Sequence, residues 1–551
     1  MICLRSGAPS AVLLASLAGS LLAGPVEAQE LPRTWQEQND FQAGPTPFEP
    51  LMDFWYDLER VSPKVSIQPL TQTLLDRELT LVTISNEQNL TPQDAIRSGK
   101  TIVLVANAVH GGETAGKEAS QLVAKELIGG DLAPLLEDIV VLFIPLINPD
   151  GGEVLRRTNE EGFDMNRDYI KLESQEVHAL VTKVMNEWTP DIHVDTHHGG
   201  SAPYTITWQG TLNPAADAEL RAYPYDVIFP RIRSALRVED YDGFDYSGVR
   251  TVEDVRGWGS TSVEPRKHHV YTGLVNSIGI LLETPNNTRR LLDDGTVIEE
   301  VPEDQRYYTR VRGQHIAIRE ILQVAAERRE EIRNLTNASR QRAIANGRVY
   351  DLDDQIVLDY ELASRGREEV WMPTEDAPLG YQPEQVEVFL RWEPVRTTPR
   401  PLGYVLPVSM AKVVPLLLDH DITVHRFTEP TTLELEVYDA TEVTDDSYFQ
   451  GHYLKSAEVV KSVESVEVPA GAFFVSTAQS RGNFIAYTME PETDDNLITW
   501  GFTDHELEVT DDEEDDLQRV PMMRLVREQP MSLLEVVPFN EYSRNRYFQT
   551  W

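Results

Sequence analysis

The chain has 551 residues, of which 41% are hydrophobic, and this is enough to bury the cores of two or more domains. Acidic residues outnumber basic residues by 90 to 49, which gives a formal net charge of −41. Nucleic acid is therefore excluded as a partner, because neutralising phosphates requires a basic surface.

The N-terminal segment, residues 1–28, has the pattern of a cleavable secretion signal. A basic residue precedes an apolar run, and Val26-Glu27-Ala28 offers small or aliphatic residues where a signal peptidase cuts. The run is too short to predict a membrane span, so we expect a mature chain that starts near Gln29 and is secreted or periplasmic. The only cysteine, Cys3, lies in this segment, so the mature chain has no thiolate to offer a metal.

Strand-like apolar runs alternate with helix-like stretches through residues 29–347. This alternation predicts an α/β domain with a mixed, largely parallel central sheet flanked by helices. Buried strands are predicted at 101–109, 139–147, 191–196 and 277–282, and helices at 113–128, 175–188 and 305–347. Short strand-like runs separated by Pro and Gly dominate residues 348–551, which predicts a β-rich C-terminal domain of unknown role.

A candidate metal motif, His110-Gly111-Gly112-Glu113, follows directly after the predicted strand at 101–109. The strand delivers an imidazole and a carboxylate to one loop, and the glycines allow both side chains to turn toward one point. By itself this spacing does not distinguish a zinc site from a solvated histidine at a strand end. A catalytic zinc takes three protein ligands and leaves its fourth position to water, so a third ligand is required.

The predicted strand at 191–196 and the residues after it supply the third candidate. His193, Asp195 and His197 share one face, because successive side chains of a strand point to opposite sides. His197 lies at the carboxyl end, where ligands gather in open α/β sheets, and we select it as the third ligand. His193 is deeper and fits a core histidine better. His198 points away or begins the loop, and it stays open as the alternative ligand.

These motifs together resemble those of the M14 family, the carboxypeptidase A-like zinc carboxypeptidases. Their order along the chain matches that family over residues 51–347, and it comprises His110-x-x-Glu113, Asn166-Arg167, His197 and, after a buried strand, Glu283. The resemblance implies one zinc ion per chain, held by His110, Glu113 and His197. It also implies a peptide substrate with a free C-terminal carboxylate.

The resemblance implies a role for each remaining residue as well. Arg167 with Asn166 would clamp the substrate carboxylate, because a guanidinium fork matches a carboxylate. Arg157 would polarise the scissile carbonyl and stabilise the oxyanion. Glu283, a carboxylate that is costly at the end of a buried strand unless used, would act as the general base. Asp164 would hydrogen-bond the far nitrogen of the first zinc histidine.

The sequence therefore predicts a zinc metallocarboxypeptidase that hydrolyses the C-terminal peptide bond of peptides. One alternative is a related zinc amidohydrolase acting on peptidoglycan stem peptides or N-acyl amino acids. A catalytically inactive binding protein is a third interpretation, which the intact residue set disfavours. The basic run Arg266-Lys267-His268-His269 suggests a pocket for an acidic C-terminal side chain, and Tyr271 is by proximity alone a candidate for a substrate-capping tyrosine.

Overall fold

The computed structural model describes residues 30–88, 90–286, 289–291, 297–377, 379–509 and 517–537. The segment predicted as a secretion signal, residues 1–28, lies outside the described residues. Among the helices that are described, none is long and apolar enough to cross a membrane.

Eight strands of the described chain form one central sheet. The strands before residue 301 are β1 Val65–Gln72, β2 Glu78–Ile84, β3 Thr101–Asn107, β4 Ile139–Ile144, β5 Ile192–His198, β6 Ile206–Gly210, β7 Gly243–Asp245, β8 Gly248–Val252, β9 Val255–Gly259, β10 Ile278–Thr284, β11 Arg289–Leu291 and β12 Val297–Glu300. The central sheet has the order β1-β2-β4-β3-β5-β10-β6-β7, and its middle strands β4, β3, β5 and β10 are parallel. Strands β1, β2 and β6 join antiparallel. This mixed, largely parallel sheet confirms the predicted fold class.

Helices flank the sheet. They are α1 Trp35–Gln38, α2 Phe48–Val61, α3 Pro92–Ser98, α4 Ala115–Gly129, α5 Pro149–Glu153, α6 Gln175–Leu180, α7 Asn186–Trp188, α8 Ala218–Tyr223, α9 Phe229–Arg237, α10 His268–Leu274, α11 Glu303–Glu327, α12 Arg329–Asn346, α13 Val413–Asp419 and α14 Gly482–Met489. Short 3₁₀ segments occur at Ala133–Glu137, Met165–Arg167 and Val408–Lys412, and π-helical segments at Val181–Met185 and Pro224–Ile228.

Alternate residues of the buried strands enter two separate cores. On β3, Ile102 and Leu104 join the core that also contains side chains of the C-terminal part. Val103 and Val105 join the opposite core, which α2, α4, α9 and α11 cover. Because both faces are buried, these strands read in the sequence as continuous apolar runs.

Two helices that the sequence predicts as continuous are interrupted. The predicted helix at 305–347 is divided into α11 and α12 at Arg328, whose φ of −115° and ψ of 26° are not helical. The predicted helix at 175–188 contains the π-helical segment Val181–Met185. Periodicity does not detect such breaks, because the apolar pattern continues on both sides of them.

The C-terminal part is rich in strands, as predicted. They are β13 Gln355–Ala363, β14 Arg367–Pro373, β15 Tyr381–Phe389, β16 Arg391–Pro399, β17 Gly403–Leu406, β18 His425–Phe427, β19 Thr431–Phe449, β20 His452–Val468, β21 Phe473–Ser476, β22 Gln518–Arg519, β23 Met523–Leu525 and β24 Leu533–Glu535. A second large sheet has the order β20-β19-β23-β17-β21-β18-β24, with β22 also pairing to β19.

The two parts of the chain are packed together. Strand β15 pairs with β9, and Tyr271 contacts the rings of His420 and Phe484. The predicted division between residues 347 and 348 follows the end of α12 at Asn346, and it stays a prediction because one hydrophobic core extends across it.

Candidate active site

The loop after β3 brings His110 and Glu113 to the carboxyl edge of the central sheet. Its backbone forms a turn in which the Glu113 N–H donates to the His110 carbonyl oxygen at 2.9 Å. A Cβ atom on Gly111 would lie 2.2 Å from the backbone carbonyl carbon of Gly151, so only glycine fits there. The first glycine of the motif therefore permits a close approach between this loop and α5.

The three predicted metal ligands converge at this edge. The Nδ1 atoms of His110 and His197 lie 3.2 Å apart. The Glu113 carboxylate lies 2.9 Å from His110 Nδ1 through Oε1 and 2.7 Å from His197 Nδ1 through Oε2. One candidate ligand atom from each residue lies within 4.8 Å of the other two, so the group could hold a metal ion.

Carboxylates lie behind both imidazoles. Asp164 Oδ1 lies 2.9 Å from His110 Nε2, as the resemblance implies. Asp195 Oδ2 lies 2.8 Å from His197 Nε2, and Asn166 Nδ2 lies 3.2 Å from the same nitrogen. A carboxylate partner of this kind fixes the orientation of a ligand imidazole and raises its basicity. Asp195 was not singled out from the sequence as a partner of His197, although it lies two residues before His197 on the same face of the strand.

The local charges favour a cation. Burial raises the pKa of Glu113, but His197 and His110 outweigh burial and hold this pKa well below its usual range. Burial lowers the pKa of His197, but the carboxylates of Asp195 and Glu113 outweigh it and raise this pKa well above its usual range. With Asp164, three carboxylates surround two imidazoles, which is an environment suited to a bound metal ion.

Arg157 faces the same group from the loop before Asp164. Its Nε and Nη2 atoms donate to Asp164 Oδ2 at 3.0 and 2.8 Å. Its Nη1 atom lies 3.2 Å from His110 Nδ1 and 3.4 Å from Glu113 Oε1. The side chain is half exposed, so its guanidinium can meet a molecule that enters beside the three candidate ligands.

Both residues of the expected carboxylate clamp line the cleft. Asn166 is engaged within the protein, since its Oδ1 accepts from the His268 N–H at 2.9 Å and its Nδ2 lies against His197. Arg167 lines the cleft and donates one N–H, from Nη1, to the Asn166 carbonyl oxygen at 2.7 Å. Arg167 therefore retains guanidinium donors for a molecule in the cleft, whereas both polar atoms of the Asn166 amide already face groups of the protein.

Glu283 lies near the end of β10 and lines the same cleft. Its side chain is buried, and Oε2 has no hydrogen-bond partner among the described residues. Burial raises the pKa of Glu283 to about 8, with His197 opposing the increase and Glu113 adding to it. A carboxyl group in this condition can exchange a proton near neutral pH.

The cleft has a volume of about 500 Å³, and its lining residues apart from the candidate ligands form a largely polar wall. Besides the residues described above, this wall contains Arg250, Ser260, Thr261, Ser262, Lys267 and His269. Arg250 was not singled out from the sequence. Its guanidinium is exposed, and Thr261 Oγ1, at 3.5 Å, is its hydrogen-bond partner among the described residues.

The basic run that the sequence places near this wall is divided by the fold. Arg266 pairs with Asp495 at 2.9 Å, and His268 is buried. Lys267 lines the cleft, but its Nζ is 2.6 Å from a Glu264 carboxylate oxygen. His269 also lines the cleft, and burial lowers its pKa to about 3, so it is neutral. The positive charge of the wall therefore comes mainly from Arg250.

The other two histidines of β5 lie outside the group of candidate ligands. His198 Nε2 accepts from the Ala115 N–H at 2.7 Å, and burial lowers the pKa of His198 to about 3. His193 is buried, with its Nδ1 3.4 Å from His268 Nε2. The structure thus brings His197, and not His198 or His193, to His110 and Glu113.

Tyr271, the tyrosine suggested by proximity in the sequence, is not the tyrosine that lines the cleft. Tyr271 is fully buried, and its hydroxyl lies 3.0 Å from His420 Nδ1, so it does not reach the cleft. Tyr246, between β7 and β8, lines the cleft instead. The charge of Glu283 raises the pKa of Tyr246 well above its usual range, with burial and Glu113 adding to the increase. Tyr246 therefore presents a protonated phenol, and no local sequence signal marks it.

The chain is similar to several known proteins. Residues 51–222 match the model of a family described as zinc carboxypeptidase, peptidase M14. The chain is similar to Carboxypeptidase 2 of Trichophyton tonsurans, at 23% identity over 419 residues that cover 73% of this chain and 74% of the relative. It is similar to Carboxypeptidase SOL1 of Arabidopsis thaliana, at 31% identity over 121 residues, or 19% of this chain and 24% of the relative. A solved metallo-carboxypeptidase from Pseudomonas aeruginosa has a TM-score of 0.37 and 17% identity, covering 54% of this chain and 70% of its own.

Proposed function

We propose that the protein is a metallocarboxypeptidase that removes the C-terminal residue of peptides, and the match of residues 51–222 to the M14 zinc carboxypeptidase family supports this proposal. The observation that carries the proposal is the convergence of His110, Glu113 and His197 within 4.8 Å, in the cleft that also contains Glu283. A site for a divalent cation and a carboxyl group for proton transfer are the two requirements of metal-assisted peptide hydrolysis.

The donor set fits one zinc ion per chain. Two imidazoles and one carboxylate match the three-ligand shell of a catalytic zinc, and each imidazole has a carboxylate behind its far nitrogen. Zinc would supply a coordinated water of lowered pKa and would polarise the scissile carbonyl. His110, Glu113 and His197 are the residues that would hold it.

We assign proton transfer to Glu283. Its carboxylate takes a proton from the attacking water and returns it to the leaving amine nitrogen. The Oε2 atom suits this role because it is buried in the cleft and has no hydrogen-bond partner in the described part of the chain.

Three donors on the cleft wall bind the substrate. Arg167 takes the C-terminal carboxylate through its remaining guanidinium donors, and this contact selects the end of a peptide. Arg157, beside the candidate ligands, donates to the scissile carbonyl oxygen as negative charge develops there. The protonated phenol of Tyr246 is a further donor in the same space.

We also propose that the enzyme is exported. The support is the signal-like sequence of residues 1–28. A secreted or periplasmic enzyme of this kind would act on extracellular peptides.

The test is a mass-spectrometric screen of the zinc-loaded protein against a mixed peptide library. We expect release of single C-terminal residues, and we expect loss of this activity in a chelator and in Glu283→Gln. The matched control is Glu330→Gln, because the Glu330 side chain is 86% exposed and does not line the cleft. Internal cleavage, or hydrolysis of N-acyl amino acids or peptidoglycan stem peptides with no hydrolysis of ordinary peptides, would overturn the proposal.

A further inference from the structure

The long hairpin formed by β19 and β20 reaches from the C-terminal part to the segment that contains Asp164, which lies behind the candidate ligand His110. Its tip, residues 449–452, contacts the N-terminal part at every position. The contacts are the Phe449 ring with the Arg266 guanidinium at 5.6 Å, Gln450 Oε1 with the Asp164 N–H at 2.8 Å, Gly451 beside Phe163, and His452 Nε2 with Glu173 Oε1 at 2.8 Å.

Of these four contacts, the hydrogen bond of Gln450 involves Asp164, the residue that contacts the candidate ligand His110. Its side-chain oxygen accepts from the backbone N–H of Asp164, which lies in the irregular segment after α5. The carboxylate of the same Asp164 binds His110 Nε2 and the guanidinium of Arg157. One hydrogen bond from the hairpin tip therefore holds the residue that orients both a candidate metal ligand and the arginine beside it.

The backbone of Gln450 provides a separate indication. Gln450 has a φ of 51° and Gly451 a φ of 85°, so both residues of the turn are in the left-handed region. Turns of this kind favour Asn-Gly or Gly-Gly, and glutamine gains nothing locally from this conformation. A residue poorly suited to its turn, whose side chain reaches Asp164, indicates that the side chain has a use beyond the turn.

We propose that Gln450 is a positioning residue through which the β-rich C-terminal part sets Asp164, and thereby His110 and Arg157, in the cleft. The inference rests on the proposed zinc centre. It gives the C-terminal part a defined contribution to catalysis, because the N-terminal part alone lacks this hydrogen-bond acceptor for Asp164.

Three variants of the full-length enzyme separate positioning from folding. Gln450→Asn keeps the amide and suits the left-handed turn, but its side chain is one methylene too short to reach Asp164. Gln450→Glu keeps the side-chain length and an acceptor oxygen, so it should still accept the hydrogen bond from the Asp164 N–H. Thr444→Ala is the control, because the Thr444 hydroxyl forms a hydrogen bond with the Ser456 hydroxyl within the hairpin, and Thr444 does not line the cleft.

The readouts are zinc affinity by competition with a chromophoric chelator, the melting temperature, and kcat and KM. For Gln450→Asn we expect zinc affinity and kcat to fall about threefold to tenfold, less than for a direct partner of a ligand. We expect KM to stay within about twofold, since Arg157 acts mainly on the transition state. The melting temperature should not fall, and Gln450→Glu should match the wild type.

Wild-type zinc affinity and kcat in Gln450→Asn would overturn the inference. So would equal losses in Thr444→Ala, because they would show that any weakening of the hairpin has the same effect. If the wild-type protein itself binds no zinc and cleaves no peptide, the proposed function fails, and that result is distinguishable from an effect confined to Gln450.

Discussion

Glu283 and His197 are register partners on two neighbouring parallel strands, β10 and β5. Neighbouring strands are about 4.8 Å apart, so partners on one face lie side by side. The pairing of the strands, rather than a loop, therefore places the proposed base next to a candidate zinc ligand. The register of the sheet therefore sets the spacing between these two side chains.

The first prediction concerns Glu283→Gln. An amide cannot accept the proton of the attacking water, so we expect kcat to fall by about 10²-fold to 10⁴-fold. Zinc content should be unchanged, because Glu283 is not one of the three convergent ligands. Steady-state kinetics and metal analysis of the same sample check both statements, and a kcat close to that of the wild type would refute the assigned role.

The second prediction separates two adjacent histidines. His197→Gln should lose zinc on dialysis, because the Nδ1 atom of His197 lies in the ligand group. His198→Gln should keep one zinc per chain, since the His198 imidazole bonds the Ala115 N–H instead. Metal content measured by mass spectrometry decides between them. The opposite pattern would make His198 the ligand.

The third prediction concerns substrate preference. Arg250 supplies the uncompensated charge of the polar wall, since Lys267 is paired with Glu264. Peptides ending in Glu should therefore be cleaved faster than those ending in Lys. Arg250→Ala should lower kcat/KM for the Glu peptides by about tenfold or more, the effect of losing a charged hydrogen bond. Arg256→Ala is the control, because Arg256 is directed toward Glu384. Equal cleavage of both peptides would contradict the prediction.

The fourth prediction concerns acid stability at the junction of the two parts. Burial lowers the pKa of His420 to about 3 from the usual 6.5; its Nε2 donates to the Ile170 carbonyl oxygen and its Nδ1 accepts from the Tyr271 hydroxyl. Between pH 6.5 and about 3, His420 is protonated in the unfolded chain but stays neutral in the folded chain. Stability from this group is therefore complete above pH 6.5 and is lost as the pH falls toward 3.

Urea unfolding at several pH values tests this statement. The free energy of unfolding should fall by up to about 1.4 kcal/mol per pH unit from His420 alone. His420→Gln should be less stable at neutral pH and should show a shallower dependence on pH, whereas the exposed His505→Gln should behave as the wild type. Identical slopes in all three proteins would show that His420 does not carry the effect.

The sequence was informative where a signal is local. Buried strands appear as apolar runs, and His110, His197 and Glu283 stand at or just beyond the ends of such runs, so their meeting at one edge could be predicted. The partners of these residues depend on contacts between distant segments. Asn166 is engaged by His268. Arg250 enters the cleft from β8 and Tyr246 from the turn before it, both outside the predicted strands, so none of these roles is visible in a local pattern.

Tyr271 illustrates the limit of proximity in sequence. It lies near Glu283 along the chain, but α10 directs it into the core that the C-terminal part covers. The same packing accounts for Gln450, whose contact with Asp164 joins residues far apart in sequence. A pattern within one segment does not report such contacts, because they arise only when the two parts pack together.

The most direct test of the central claim is a zinc titration of the metal-free enzyme with a peptide substrate present. We expect release of the C-terminal residue to rise in proportion to added zinc and to stop rising at one equivalent per chain. The His110, Glu113 and His197 group accounts for that single equivalent. Full activity without metal, or activity that does not respond to zinc, would contradict the claim.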